Sequence, residues 1–351
     1  MEFYSTVFHL TRHIRHAIQV KKKYNSSVGE RMSFINTLRS TDNKVIKSIR
    51  SAINDSAIGR KLIDSLLYSP NTPDREYISH LYEKTFGETP NLDNPKNFNE
   101  KINWIKLNDR KPLYTQMVDK YKAKSIIADR VGSEYAFPLI GVWGKPEDID
   151  FDKLPNKFVL KPNHAGGVVI CRDKATFNKK EAIRYLNQIL GTNYYVRFRE
   201  WAYKDVERKV ICEQYMGEHL ADYKTYCFNG KPLYTLVWDN IPIDEMSKPE
   251  PFFCGAYDKD WNRTGLEVQY PSKLRDVEKP TCHKKMLEIA EKLSKDNLFM
   301  RVDCYIIGDH VYVGEMTMYP YAGFFLFKNN DYNIQFGNHL HLPIDAEPEN
   351  N

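Results

Sequence analysis

Residues 299–317 read FMRVDCYIIGDHVYVGEMT, and the pattern predicts a β-hairpin whose strands meet at Gly308-Asp309. Pairing across so short a turn places Asp303 of the first strand close to Glu315 of the second. Two acids among Val, Ile and Tyr are costly to bury unless a cation neutralises them. Oxygen ligands suit magnesium, so the pair predicts a metal site. A structural salt bridge, for example with Arg301, is the alternative.

A second hairpin lies upstream, where Asn229-Gly230 separates two apolar runs, residues 223–228 and 232–238. This dipeptide is a strong hairpin signal. Strand alternation places Asp222 and Lys224 on one face at the start of the hairpin. An acid and a base that share a face predict contacts with the ribose and a phosphate of a nucleotide. Contact only with each other is the alternative.

A third feature is Lys161, which ends a predicted strand over residues 157–161 and precedes the small turn PNHAGG, residues 162–167. An ammonium and backbone N–H groups at such a turn can hold a phosphate. Simple solvation of the lysine is the alternative, and the turn is not a P-loop. A further strand over residues 210–215 leads into EQYMG, residues 213–217, which can offer backbone groups to an adenine edge or be a plain strand edge.

Helical and strand patterns alternate over most of the chain, which predicts the α/β (α+β) class. We predict three regions: a helical, basic N-terminal extension over residues 1–93, a first domain over residues 94–217 and a second domain over residues 218–345. Proline at a first helical position predicts one helix over residues 112–131.

The amino-acid composition argues against several classes of function. The 351 residues carry 51 Lys and Arg against 46 Asp and Glu, and a net charge of +5 is too small to predict a nucleic-acid partner. The six cysteines form no C-x-x-C pair, which argues against zinc and predicts reduced thiols in the cytoplasm. No apolar run is long enough to predict a spanning helix.

The N-terminal extension has apolar residues at helical spacing between Phe3 and Ile18, followed by three lysines at residues 21–23. A basic amphipathic helix predicts peripheral contact with an anionic membrane surface. Packing on the next domain or on a partner is the alternative.

Taken in order, these stretches resemble the ATP-grasp superfamily, and more closely the TupA-like ATP-grasp proteins of surface-polysaccharide and teichuronopeptide biosynthesis. Each block is short, but the blocks are many and keep their order from about residue 94 to residue 337. They are NEKINW (99–104), LYT (113–115), VDKY (118–121), KFVLKPNH (157–164), REW (199–201), DYK (222–224), FNG (228–230), YDKDWN (257–262) and RVD (301–303).

The resemblance implies an ATP-grasp fold of two α/β subdomains that clasp ATP, with a helical N-terminal extension. It implies that Lys120 and Lys161 hold the phosphates, with Asp222 and Lys224 near the ribose and the γ-phosphate. The residues that it implies for the adenine are Glu213, Gln214, Tyr215 and Met216.

The same resemblance implies that Asp303 and Glu315 bind Mg²⁺. The sequence departs from the family at Thr317, where many ATP-grasp enzymes have Asn as a further metal ligand. A hydroxyl can still donate a lone pair to magnesium, so Thr317 is the third candidate ligand. The glycine-rich lid is reduced to Gly166-Gly167.

ATP-grasp enzymes typically join a carboxylate to an amine through an acylphosphate, so the resemblance implies a ligase in surface-polysaccharide synthesis. The substrates would be an acidic saccharide and an amine or amino acid, and catalysis would fall to Lys161, Lys224 and Arg199. In that context the N-terminal extension would make peripheral contact with the inner membrane surface or with polysaccharide-synthesis machinery. Arg197, Arg199 and Trp201 are candidates to bind the acidic sugar, because Arg grips carboxylates and aromatics cover sugar faces; a structural lid is the alternative. A glycosyltransferase and a non-catalytic nucleotide-binding assembly factor are the rival functions.

Overall fold

The computed structural model describes residues 72–218, 220–241 and 250–345. The eight α-helices within these ranges are α1 (Asp74–Phe86), α2 (Phe98–Asn108), α3 (Pro112–Val118), α4 (Ala123–Arg130), α5 (Lys179–Leu190), α6 (Tyr194–Phe198), α7 (His283–Ser294) and α8 (Asn330–His339). The nine strands are β1 (Leu139–Trp143), β2 (Phe158–Pro162), β3 (Val169–Cys171), β4 (Val210–Gln214), β5 (Ala221–Phe228), β6 (Lys231–Ile241), β7 (Glu250–Asp258), β8 (Phe299–Ile307) and β9 (His310–Thr317). Short 3-10 turns cover Ser133–Tyr135, Pro146–Asp148, Phe151–Lys153, Trp201–Tyr203, Pro320–Gly323 and Pro343–Asp345.

The strands form two antiparallel sheets. The smaller sheet has the order β1-β4-β2-β3, and the larger has the order β7-β6-β5-β8-β9. The mixed α/β class predicted from the sequence is therefore confirmed.

Both predicted hairpins are present in the larger sheet. The turn between β5 and β6 has positive φ at Asn229 (48°) and Gly230 (80°), the conformation that an Asn-Gly hairpin turn requires. Strands β8 and β9 are joined by Gly308-Asp309, with Gly308 at φ 61°. Strand β7 and helix α8 escaped sequence-based prediction.

The described residues contain two large hydrophobic cores and a small cluster of Val237, Cys254 and Tyr257. The smaller core lies between the four-stranded sheet and α5 and is built on side chains such as Phe158, Leu186 and Val210. The larger core combines the five-stranded sheet with side chains from α2, α3, α4, α7 and α8, among them Phe98 and Phe336. The domain boundaries that we place at residues 93 and 217 stay predictions.

The predicted helix over residues 112–131 is two helices, α3 and α4, with residues 119–122 between them. Asp119 causes the interruption, because its Oδ1 accepts hydrogen bonds from the backbone N–H groups of Tyr121 and Lys122. Short polar side chains offer the backbone such alternatives to a helix. The break leaves Lys120 in a loop instead of on a helix.

Helix α1 follows the region that the structure leaves undescribed. Its Asp74 bonds to Arg110 at 2.6 Å, and its Tyr77 donates a hydrogen bond to the carbonyl of Arg197 at 2.8 Å. The amphipathic segment predicted near the N-terminus lies outside the described residues. Within the described ranges, every helix is too short or too polar to cross a membrane.

Candidate active site

The two acids of the β8–β9 hairpin lie opposite each other, as predicted, because the register pairs Asp303 with Glu315. Arg301 binds Asp303 with two donors, Nε and Nη2, each 2.6 Å from a carboxylate oxygen. Lys224 of the neighbouring strand β5 lies 2.9 Å from Asp303 and also contacts Asp222. Burial would lower the pKa of Lys224, but the two aspartates outweigh burial and raise it. Lys224 is therefore charged at neutral pH.

Glu315 is paired with Lys120, whose Nζ lies 3.0 Å from Oε2. Thr317 Oγ1 donates a hydrogen bond to Glu315 at 2.7 Å and accepts one from Arg301 at 3.2 Å. Burial alone would raise the pKa of Glu315, but Lys120 and Arg301 outweigh it and lower the pKa to about 2. Glu315 is thus an ionised carboxylate that several cationic and hydroxyl groups stabilise.

The site balances its own charge within the described residues. Its three carboxylates and three cations are Asp222, Asp303, Glu315, Lys120, Lys224 and Arg301. Facing carboxylates beside a hydroxyl are the hard oxygen ligands that magnesium prefers, so the donor set fits the ion. No group of three or more His, Cys, Asp or Glu in the described ranges has the arrangement of a metal site. The magnesium assignment of Asp303, Glu315 and Thr317 therefore stays a prediction.

Lys161 forms a second ionic cluster on the smaller sheet. Its Nζ lies 2.8 Å from Glu213 Oε2, while Lys124 of α4 lies 2.6 Å from Oε1 of the same carboxylate. Burial would raise the pKa of Glu213, but the two lysines outweigh it and lower it. The side chain of Glu213 is thus the counter-ion of two lysines. Lys124 is a candidate site residue that the sequence reasoning missed.

The two clusters adjoin each other through aromatic side chains. The ammonium of Lys161 lies 5.3 Å from the ring centre of Phe137, and that ring lies 5.6 Å from the ring of Tyr305 on β8. Glu213 also contributes to the electrostatic environment of Lys120. The structure therefore brings together the predicted phosphate-binding lysines and the acidic hairpin.

The turn after Lys161 is tied to the loop that carries Lys120. The backbone N–H of Lys120 donates to the carbonyl of Asn163 at 2.8 Å, and Asn163 Nδ2 donates to Asp119 Oδ1 at 2.9 Å. Asn163 Nδ2 also donates to the carbonyl of Glu207. Gly167 has φ 111°, and a Cβ there would lie 2.5 Å from Ile189 Cδ1, so this position favours glycine. Asp119 and Asn163 thus help to position the two lysines. Both lie within motifs quoted from the sequence, but the sequence analysis assigned them no role.

The residues predicted to line the adenine are the last two residues of β4, Glu213 and Gln214, and the two residues that follow it. Gln214 is exposed, and its backbone N–H donates to the carbonyl of Pro138 at 3.0 Å. Tyr215 and Met216 are half-buried, and the ring of Tyr215 lies 5.7 Å from the ammonium of Lys157. Their contact with adenine stays a prediction.

The three residues predicted to bind the sugar differ in their surroundings. Arg199 is fully buried (0% exposed), lies over the ring of Tyr77 at 4.0 Å and pairs with Asp74 at 3.1 Å. Arg199 has no accessible surface in this arrangement, and its roles in substrate binding and catalysis stay predictions. Arg197 is exposed and Trp201 is half-buried, so both stay candidates.

The sequence model of the TupA-like ATP-grasp family matches residues 100–341 of the chain. The chain therefore has an ATP-grasp fold, as the sequence predicted. It belongs to the TupA-like ATP-grasp family. No curated protein is detectably similar to it.

Solved structures with partial similarity include three ATP-grasp-type ligases or synthetases. D-alanine–D-alanine ligase from Bacillus anthracis is 21% identical, with 58% of this chain and 57% of that chain covered at a TM-score of 0.33. L-amino acid ligase from Bacillus licheniformis is 15% identical, with 71% and 54% covered at a TM-score of 0.38. N5-carboxyaminoimidazole synthetase from Staphylococcus aureus, solved with ADP, is 12% identical, with 65% and 52% covered at a TM-score of 0.33. The chain thus spans little more than half the length of each of these structures.

Proposed function

We propose that the protein is an ATP- and Mg²⁺-dependent ligase that joins a carboxylate to an amine through an acylphosphate. Membership of the TupA-like ATP-grasp family supports ATP as the phosphoryl donor. The observation that carries the proposal is the junction of the two ionic clusters, where Lys120, Lys161 and Lys224 lie within ion-pair distance of carboxylate groups. Positioning and charge neutralisation are the main means of catalysis in phosphoryl transfer.

The ion pairs suggest how the site would accept the nucleotide. The phosphates of ATP would replace carboxylates as partners of Lys120, Lys161 and Lys224. Asp303 and Glu315 would then be released to hold magnesium, with Thr317 beside them, and the ion would neutralise phosphate charge. Gln214, Tyr215 and Met216, with the backbone of Glu213, would line the adenine. This exchange keeps each buried charge paired in both states, which avoids the cost of an unpaired one.

The proposed reaction has two steps. A substrate carboxylate attacks the γ-phosphorus of ATP, the bond from that phosphorus to the bridging oxygen breaks, and ADP leaves. The amine then attacks the acyl carbon, the carbon–oxygen bond to phosphate breaks, and an amide forms. An acylphosphate is readily hydrolysed, so the site must exclude water before the intermediate forms.

The substrates follow from the family resemblance. We propose a uronic acid or related sugar acid of a bacterial surface polysaccharide as the carboxylate, and an amino acid or other amine as the nucleophile. Arg197 and Trp201 are the candidates to hold the sugar acid. We place the protein in the cytoplasm, with peripheral contact at the inner membrane surface through the N-terminal extension.

ADP release from the full-length protein tests this proposal, with uronic acids screened against amino acids. ADP should form only when the acid is present, and amide only when the amine is added. With hydroxylamine in place of the amine, the product should be the hydroxamate of the acid. A stable sugar phosphate would instead identify a kinase, and consumption of a nucleotide sugar without ADP release would identify a glycosyltransferase. ATP binding without any turnover would favour the assembly factor.

A further inference from the structure

Lys124 is a largely buried cation to which the proposed mechanism assigns no task. Its ammonium lies 2.6 Å from Glu213 Oε1 and donates a hydrogen bond to the carbonyl of Phe137 at 2.7 Å. Burial lowers the pKa of Lys124, and the attraction of Glu213 opposes that effect. Helix α4 carries Lys124 between Ala123 and Ile127, which are both buried in the larger core. Two short contacts and a packed helix therefore fix the ammonium beside Glu213.

Lys161 binds the other oxygen of the same carboxylate. The strand register aligns Val159 with Glu213, and Lys161, two residues further along β2, lies on the same face of the sheet. Its ammonium lies 2.8 Å from Glu213 Oε2. Each of the two lysines thus has a carboxylate oxygen of its own, so one ion pair can break while the other stays intact.

The two lysines differ in how firmly they are held. Lys124 has a second acceptor in the Phe137 carbonyl, whereas Lys161 has, besides Glu213, a contact with the ring of Phe137, whose centre lies 5.3 Å from the ammonium. A cation–π contact at a partly exposed site is worth less than a hydrogen bond from a charged donor. Lys161 is therefore the lysine that can turn toward a nucleotide while Lys124 stays with Glu213.

Glu213 needs a cation in both states of the site, because the residue is only 5% exposed. When ATP binds, Asp303 and Glu315 would gain magnesium in exchange for their lysines. Glu213 is not among the proposed metal ligands, and it would lose Lys161 to the phosphates. A buried carboxylate that is left without a cation is strongly destabilising. Lys124 is the cation that can stay with it.

We propose that Lys124 is a positioning residue that makes Lys161 available to ATP, because it remains the counter-ion of Glu213 when Lys161 binds the phosphates. The inference rests on the proposed function, which assigns Lys161 to the phosphates. Without Lys124, Glu213 would keep Lys161 as its one ion-pair partner among the described residues. ATP would then have to compete with the carboxylate for Lys161. Lys124 acts through Glu213 and does not itself touch the nucleotide.

A double-mutant cycle on Lys124 and Glu213 tests this inference. The full-length wild-type protein, Lys124→Met, Glu213→Gln and the variant with both substitutions are each titrated with ATP and magnesium in a calorimeter. Glutamine keeps the shape of the side chain and the backbone that would line the adenine, but it removes the charge. Measuring Lys124→Met in both backgrounds separates its effect from any effect of Glu213→Gln alone. Lys179→Met is the matched control, because Lys179 also lies 2.9 Å from a carboxylate, that of Asp152, but is 46% exposed.

With Glu213 present, Lys124→Met should raise the Kd for ATP by about tenfold or more, because one cation would have to serve both the carboxylate and the phosphates. In the Glu213→Gln background the same substitution should change the Kd by less than about twofold, because no carboxylate remains to hold Lys161. Lys179→Met should bind ATP as the wild-type protein does.

An equal rise of the Kd in both backgrounds would overturn the proposal, since Lys124 would then touch the nucleotide or act through its bond to Phe137. An unchanged Kd for Lys124→Met would overturn it as well. If thermal melting shows that Lys124→Met is unfolded, Glu213→Gln and the double variant still decide: equal affinities support the proposal and unequal ones contradict it. If the wild-type protein binds no ATP, or Lys161→Met binds it normally, the proposed function fails first and the role of Lys124 falls with it.

Discussion

Replacing Lys120 by Met tests the electrostatic design of the site. Lys120 is 12% exposed, and its ammonium lies 3.0 Å from a carboxylate oxygen of Glu315, which is 26% exposed. Burial would raise the pKa of Glu315, yet Lys120 and Arg301 hold it at about 2. The substitution keeps most of the apolar stem and removes the charge. Glu315 then keeps Arg301 and the hydroxyl of Thr317 as stabilising groups.

The magnitude follows from the pKa of Glu315. A change from 4.5 to about 2 corresponds to about 3 kcal/mol of folding free energy, which is an upper limit. Arg301 stays in place and the partial exposure of Glu315 weakens the interaction, so we expect a loss of about 1–2 kcal/mol near pH 7. A carboxyl group whose pKa is lower in the folded protein than in the unfolded chain stabilises the fold at pH values above its unfolded-state pKa. This stabilisation is lost as the pH falls toward the folded-state pKa.

Urea unfolding of wild type and Lys120→Met measures this effect at about pH 7 and about pH 3. The difference in unfolding free energy should be largest at neutral pH and should shrink at acid pH, where Glu315 is protonated in the unfolded chain. Lys153→Met is the control, because Lys153 also lies 3.0 Å from a carboxylate, that of Asp150, but is 85% exposed. It should change stability little at either pH. A difference in unfolding free energy between wild type and Lys120→Met that is the same at both pH values would refute the reasoning.

Three further predictions concern the nucleotide, the metal and the N-terminal region. Lys161→Met removes a charge that we assign to the phosphates and should lower ADP formation by about a hundredfold or more, with near-normal ADP release as the contrary outcome. Asp303→Asn and Glu315→Gln should each raise the magnesium requirement, and the double variant should add little to the worse single one; additive losses with unchanged magnesium dependence would indicate a structural salt bridge. A chain that starts at Pro73 should fold and bind ATP, which equilibrium binding measures. A chain that starts at Asn94 loses the carboxylate partner of a fully buried arginine and should lose about 3–5 kcal/mol of unfolding free energy in urea, unless that arginine finds another partner.

Local patterns in the sequence were sufficient to predict the hairpins. An Asn-Gly turn and a Gly-Asp turn each constrain the residues beside them, so the pairing of Asp303 with Glu315 followed from residues close in the chain. The ordered blocks around Lys161, Lys224 and Arg301 were sufficient to predict the ATP-grasp family. The blocks identify the family because proteins that share a fold and a site keep the same types of residue in the same order along the chain.

The ion pairs and the buried state of individual side chains could be decided only by the tertiary structure. Arg199 looked like a ligand-binding arginine, but Asp74, 125 positions earlier, is its partner in the folded chain. The sequence by itself determined the fold family, the hairpins and the types of charged residue at the site. Only the tertiary structure decided which charged side chains form ion pairs with each other. Coulomb energies and desolvation depend on distances between segments that are far apart in the chain.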